Sequence, residues 1–581
     1  YRVSVGYSVQ NGIIKESQSQ KLTASLNISP SFLDDHLKFN LNAKYLNGKD
    51  NYTGNSSVVG AAIAADPTQD VYNPASEATG GFWQTLISDG SLASWTTPVT
   101  NTNTPQNPVA YIKNRSDKGK SSSVIGDLSV DYKIHGFEDL TVHASVSGDY
   151  SEGRQTTKNS PYSYDNNYYG YQGISQSYKY NIQGNAYIQY NHDFEKQHLD
   201  VMVGAEQQHF HRETFSEGGG PWKGTAYVED PADWYSPSNR TETKHTFRNS
   251  LVSYFGRANY SFLDRYMLTA TMRFDGSSRF ASGNKWGQFP AFAAVWKVNE
   301  ESFLNDVDWL SDLKIRASYG ITGQQNIGYD FYYAPRYVVS DQYGQYWLGQ
   351  DPYYTSRPEV YNEDLKWEKT YTKNIGLDFG VLDGRVTMAA DYYYRETKDL
   401  ISTVSVASGT NFGNYLTKNI GSLVNKGIEF SIDARAIQKK NFTWQVGYNI
   451  TWNDNEITKL ADGADFFLTG NSISAGLSNQ VQVNKVGYPA NSFYLYQQVY
   501  DEAGKPLEGV FVDRNGDGTI NADDKYVYKK PAGDVLMALT NKFIYKNWDL
   551  SFTWRASLNN YLYYDFLSNK ANVSSSGFYS N

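Results

Sequence analysis

Asp513-Arg514-Asn515-Gly516-Asp517-Gly518-Thr519-Ile520-Asn521-Ala522-Asp523-Asp524 follows the D-x-[DN]-x-[DN]-G calcium-loop pattern, with Gly518 at the sharp turn. A hard divalent cation needs such a cluster of oxygens. The candidate ligands are Asp513, Asn515, Asp517, the Thr519 carbonyl, Asn521 through water, and Asp524. Asp replaces the usual Glu at the twelfth position, so the last ligand reaches less far. No helical pattern flanks the loop on both sides, so a signalling EF-hand is not expected. An Asx-rich turn that binds nothing carries the same residues. Aromatic clusters are the second signal. Tyr168 and Tyr169 crowd one polar stretch, Trp222 and Trp234 another, and Trp347, Tyr353 and Tyr354 a third. Flat rings there would stack on sugars or line a substrate path; packing between long loops is the plainer use. Catalysis finds little to stand on. Of the eight His, only His209 and His211 are close, and no third ligand stands at metal spacing. No P-loop, dinucleotide fingerprint or G-x-S-x-G elbow is present. An enzyme is not expected.

Composition narrows the setting. The 581 residues carry a net charge of −9 and no Cys, which removes disulfide scaffolds and thiol chemistry. An acidic pI near 5.5 argues against a general nucleic-acid binder. The most apolar short run, 58–65, is far too short for a transmembrane helix. Yet aromatics make up 15% of the chain, with 49 Tyr, so disorder is not expected either. Tyr and Trp concentrate where one end of a side chain is dry and the other wet.

The elements that must position these groups show period-two alternation. Between Arg265 and Phe274, Tyr266, Leu268, Ala270, Met272 and Phe274 oppose Arg265, Met267, Thr269, Thr271 and Arg273. Segments 442–452 and 548–557 behave alike. Such segments are strands with one apolar and one polar face. They run longer than soluble strands and suit the 9–11 tilted residues that cross a bilayer. Short turns (32–35, 136–139, 191–197, 262–264, 382–384, 438–440, 546–547) alternate with long polar loops (near 48–119, 152–175, 213–245, 323–366, 400–423 and 455–540). Transmembrane β-barrels have this rhythm, with short periplasmic turns and long extracellular loops. The pattern predicts an all-β, antiparallel transmembrane barrel with about 17 strands. Bacterial barrels close with even numbers, so a fragment is expected, lacking parts at both ends. The calcium-type loop falls in the large extracellular connection 455–540. Residues 299–312, with Phe303, Val307 and Leu310 at helical spacing, predict a short helix. Asp275-Gly276-Ser277-Ser278 predicts a tight hairpin turn.

Ordered motifs add a resemblance. Arg273–Phe280 (RFDGSSRF), Trp286–Pro290, Trp296, Glu301–Leu304, Leu313–Gly323, Leu365–Gly380, Asn425–Glu429 and Asp513–Asp524 occur in sequence, as do Tyr1–Tyr7 and Asn107–Val109. Together they resemble the SusC/RagA family of TonB-dependent outer-membrane transporters of Bacteroidetes. The resemblance implies a 22-strand barrel, of which residues 1–581 are a partial copy without the plug and last strands. It implies a Gram-negative outer membrane and surrounding lipid. It also implies a SusD-like surface lipoprotein as lid, a glycan or peptide substrate, and energy from the TonB complex through the missing N-terminal part. Polar strand faces with residues such as Arg316, Asp391 and Arg435 would then form a wet lumen or meet the plug. The alternatives are a passive porin with the same wall, and a secreted β-rich adhesin or glycan-binding protein.

Overall fold

The computed structural model describes residues 1–565 except 77–78, 87–100, 102–103, 161, 165–169, 221, 224–225, 228–235, 305, 329, 341–344, 350, 406–412, 414, 461–463 and 474–479. Seventeen long strands belong to one sheet. They are β1 (Arg2–Asn11), β2 (Gln18–Ile28), β3 (Leu37–Tyr52), β4 (Arg115–Lys133), β5 (Leu140–Asn159), β6 (Tyr171–Asp193), β7 (Gln197–Gly220), β8 (Ser236–Phe262) and β9 (Tyr266–Ser277). There follow β10 (Trp286–Lys297), β11 (Leu310–Gln324), β12 (Glu368–Val381), β13 (Val386–Lys398), β14 (Ser422–Lys439), β15 (Phe442–Lys459), β16 (Val535–Tyr545) and β17 (Trp548–Leu558). The two-residue strand Ser31–Phe32 pairs with the start of β3. Residues 1–188 and 205–251 form one compact unit, and 189–204 with 252–565 the other.

In the first unit, β1 to β5 pair antiparallel in chain order. Register places Leu37, Tyr132 and Val142 in one cross-strand row, Leu41, Leu128 and Val146 in a second, and Tyr45, Val124 and Tyr150 in a third. The opposite face is polar. There Asn42 donates to Asp127 (3.0 Å) and His143 meets Asp131 (2.7 Å). One face is apolar and exposed, and the other is hydrogen-bonded through side chains. That is the division a membrane wall requires.

The second unit repeats it. Leu268, Ala294, Ala317, Ile375, Tyr392, Ile428, Trp452 and Val535 stand in one row from β9 to β16. Leu268, Ile375 and Ile428 are each more than half exposed, so this row has no protein cover. At the short-turn end, Glu301 accepts from Tyr266 Oη (2.5 Å) and Trp296 Nε1 (2.9 Å). Their rings stack with centroids 6.5 Å apart. An aromatic girdle anchored by a carboxylate results, and it accounts for Trp296 and Glu301 in the ordered motifs.

Four expectations need correction. Residues 299–312 do not form an α-helix. Two 3₁₀ turns, Val298–Glu300 and Ser302–Leu304, lie there instead. Amide-to-carbonyl bonds recur every three residues, from Glu301 to Val298 through Leu310 to Val307, and this mimics helical spacing. Leu310 itself already belongs to β11 and pairs with Val381. Asp275–Ser278 is not the turn: β9 runs through Ser277, whose N–H bonds Lys285 O at 3.0 Å. The strands also reach well into stretches expected as loop, as Arg115↔Asn159 shows. Above the apolar rows both faces are polar, so alternation fades while backbone pairing continues. Finally, two helices were not expected: α1 (Asn55–Ala64) and α2 (Pro108–Lys113). Asn107 caps α2 by accepting from Val109 and Ala110 N–H, and its amide donates to Val71 and Trp83 carbonyls. That buried double duty explains the Asn107-Pro108-Val109 block.

Candidate functional site

Three features could act on a ligand. The first is an ion cluster on the polar face of the second unit. Arg316 on β11 donates to both carboxylate oxygens of Asp378 (2.8 and 2.9 Å) and of Asp391 (2.9 and 3.0 Å). Asp378 lies on β12 and Asp391 on β13. Register sets Arg316 against Gly376 and Gly376 against Asp391, so the guanidinium lies over a glycine. A Cβ there would stand 2.4 Å from Asp391 Oδ1 and 2.7 Å from Arg316 Cζ. Only glycine leaves room for the doubly bidentate pairing. Sequence reading found Arg316 and Asp391 but missed Asp378. Its distance from Arg316 in the chain hides a contact that only sheet register reveals.

The second feature is aromatic and belongs to the connection between β11 and β12. Its base is a small core. Phe280 and Leu365 are fully buried, and Trp367 packs on Phe280 and Phe289 with ring centroids 5.4 and 5.2 Å away. Trp367 Nε1 donates to Lys285 O (2.8 Å). Arg279 pairs with the buried Asp330 (3.2 Å) and donates to Asn326 (3.0 Å). These contacts give the RFDGSSRF and LKWEK motifs their purpose: they pin the loop root to the strand ends. From this root rise two strand pairs, Arg336–Val339 with Ser356–Glu359 and Gln345–Leu348 with Asp351–Tyr354. Tyr346 faces Tyr353 across the outer pair. Trp347, Tyr353 and Tyr354 are 61%, 54% and 55% exposed, so the three expected rings stand in the open. Trp222 lies in a two-residue strand paired with Ala226–Tyr227. Tyr168, Tyr169 and Trp234 lie outside the described residues.

The third feature is loop 513–524. Asp513 accepts from Gly516 and Gly518 N–H, both at 2.7 Å. Asp517 accepts from Thr519 N–H (2.7 Å) and Asn515 from Asp517 N–H (3.0 Å). Asp524 is fully buried and accepts from Arg514 and Asn521 N–H, both at 2.8 Å. Backbone N–H donation, from Asn521 first, holds its carboxyl below the usual Asp value. Arg514 then stacks over Tyr526, 4.4 Å from the ring centroid. Among the described residues, no three His, Asp or Glu side chains gather as a metal group. The donor chemistry still fits a hard cation, since an oxygen bonded once keeps a lone pair. His209 and His211 turn to different partners, Ser250 Oγ (2.9 Å) and Arg248 Nε (3.1 Å).

A sheet with an uncovered apolar face, a hydrogen-bonded polar face and long loops on one side defines an outer-membrane-type β-barrel wall. Residues 4–561 match the family described as TonB dependent receptor-like, beta-barrel, and the chain belongs to it. Within that family it is of the SusC/RagA type. It is 55% identical, over its whole length, to the TonB-dependent receptor SusC of Bacteroides thetaiotaomicron, and covers 58% of that protein. It is 29% identical to TonB-dependent receptor P26 of Formosa agariphila, over 97% of this chain and 56% of the relative. Among solved structures, the RagAB peptide transporter superposes with a TM-score of 0.75 at 20% identity, over 96% of this chain and 60% of the other. That likeness shows the fold. The chain spans less than two thirds of the length of these relatives.

Proposed function

We propose that this chain supplies wall and loops of an active importer in the outer membrane of a Gram-negative bacterium. The importer takes up oligosaccharides or peptides, works with a SusD-like surface lipoprotein as lid, and is energised by TonB. The observation that carries this reading is the 55% identity to SusC over the whole of this chain. The polar face with Arg316, Asp378 and Asp391 suits a wet lumen, and the exposed rings of Trp347, Tyr353 and Tyr354 suit substrate or lid contact. Uptake of labelled oligosaccharide and peptide pools by cells with and without the gene tests it. One pool should enter only with the gene and should stop entering when an uncoupler removes the proton-motive force. Uptake that survives the uncoupler means a passive porin instead.

We also propose that loop 513–524 takes calcium, with Asp513, Asn515, Asp517, Thr519, Asn521 and Asp524 as the donor set. Its support is the order of oxygen donors and the spare lone pairs on Asp513 and Asp517. Calorimetry on the intact protein should give a calcium-dependent heat that Asp517→Ala abolishes. No heat in the unaltered protein would falsify the idea.

A further inference from the structure

A row of three cations crosses the first unit at one level. Lys49 on β3 stands opposite Lys120 on β4, and Lys120 opposite Arg154 on β5. Like charges directly opposed on neighbouring strands repel. All three residues are exposed, and among the described residues none of them meets a carboxylate. The acids of the adjoining groove, Glu152, Glu213 and Glu242, are engaged with other groups. Glu152 accepts from Tyr150 Oη (3.1 Å) and Ser122 Oγ (3.4 Å), and Glu213 faces His211 (3.3 Å) and Arg248 (4.0 Å). Lys120 and Arg154 line a groove of about 1140 Å³ that also takes in Lys244, Tyr150, Tyr178 and the engaged Glu152, Glu213 and Glu242.

The face that carries this row identifies its ligand. Two residues below it along each strand come Asn47, Ser122 and Glu152, and two below those come Tyr45, Val124 and Tyr150. From there the same face is apolar down to Leu37, Tyr132 and Val142. Leu37 to Tyr45 measures roughly 27 Å along the strand, which strand tilt reduces to about 20 Å of height, close to a membrane barrel's apolar band. The cations stand roughly 10 Å above its aromatic edge, at headgroup level. They therefore face outward, toward lipid, and not into the lumen.

We propose that Lys49, Lys120 and Arg154 form a docking site for the phosphate-bearing headgroup of an outer-leaflet lipid, whose acyl chains lie on the apolar rows below. The phosphate relieves the repulsion across β3, β4 and β5 and accepts hydrogen bonds from all three side chains. Charge complementarity and continuity with the apolar face both favour a lipid over a free anion. The site rests on the outer-membrane reading of the chain.

The test uses the intact protein in detergent and three probes: monophosphoryl lipid A, the same lipid without phosphate, and inorganic phosphate. Lipid A should bind at least about tenfold more tightly than its dephosphorylated form. Lys120→Gln with Arg154→Gln should close that gap, and rising salt should narrow it. Equal binding of the two lipids overturns the proposal, and so does an unchanged gap in the double variant. Inorganic phosphate binding as tightly as the lipid overturns it in favour of a free-anion site. If the variant does not fold, the two lipids on the unaltered protein still decide. Failure of the membrane reading shows separately, as a protein that stays dispersed without detergent before any lipid is added.

Discussion

Asp524 shows what one side chain decides. Its oxygens hold the amides of Arg514 and Asn521, so the loop closes on a single buried carboxylate. Those bonds favour the charged form, and the folded carboxyl sits below its ordinary value. The sign of the pH effect follows. A lowered folded value means a stabilising contribution that is fully present above the unfolded value of about 3.9 and is lost as pH falls through the folded value. Hydrogen exchange at Arg514 and Asn521, corrected for intrinsic rates, should therefore accelerate in acid below about pH 4. Asp524→Asn should exchange faster already at neutral pH and should lack the acid step. The calcium-type pattern was legible in sequence because its positions are contiguous. That its last carboxylate is buried and bound by backbone was not legible, because burial depends on how the loop folds over it.

At the scale of the element, alternation made the strands readable where one face is apolar, as in 265–274 and 442–452. It failed where both faces are polar, at the upper ends of β4 to β8. It could not show which polar residues meet. Arg316, Asp378 and Asp391 come together through the register of three strands, and Gly376 is the position that permits it. Gly376→Val should cost about 1–3 kcal/mol, because the added atoms overlap both ion-pair partners. Denaturant unfolding of the purified protein checks this. Gly153→Ala, whose nearest new contact would be Lys120 O at 4.0 Å, should change little. The rings at 345–354 were singled out in sequence, with packing between loops as their plainer use; that they stand exposed, and how their loop is anchored, was not legible. The Phe280, Phe289, Leu365 and Trp367 core joins pieces far apart in the chain, which periodicity does not connect.

For the whole molecule, the alternating segments together with the rhythm of short and long connections were the most informative signal, and they gave the strand number. Mean hydropathy is low for a membrane protein, at −0.59, because alternation halves the apolar content of each strand and the loops dilute it. The short turns have a consequence of their own in time. Each strand from β9 onward pairs with the one just before it in the chain, so a growing sheet needs only its latest edge. Several of the turns that join them hold left-handed residues: Leu263 and Asp264, Leu382 and Asp383, Lys546. A slip of one residue at such a turn would exchange the lipid face for the lumen face along the entire next strand. The tight turns thus act as the counting device of assembly, while the long loops set no register.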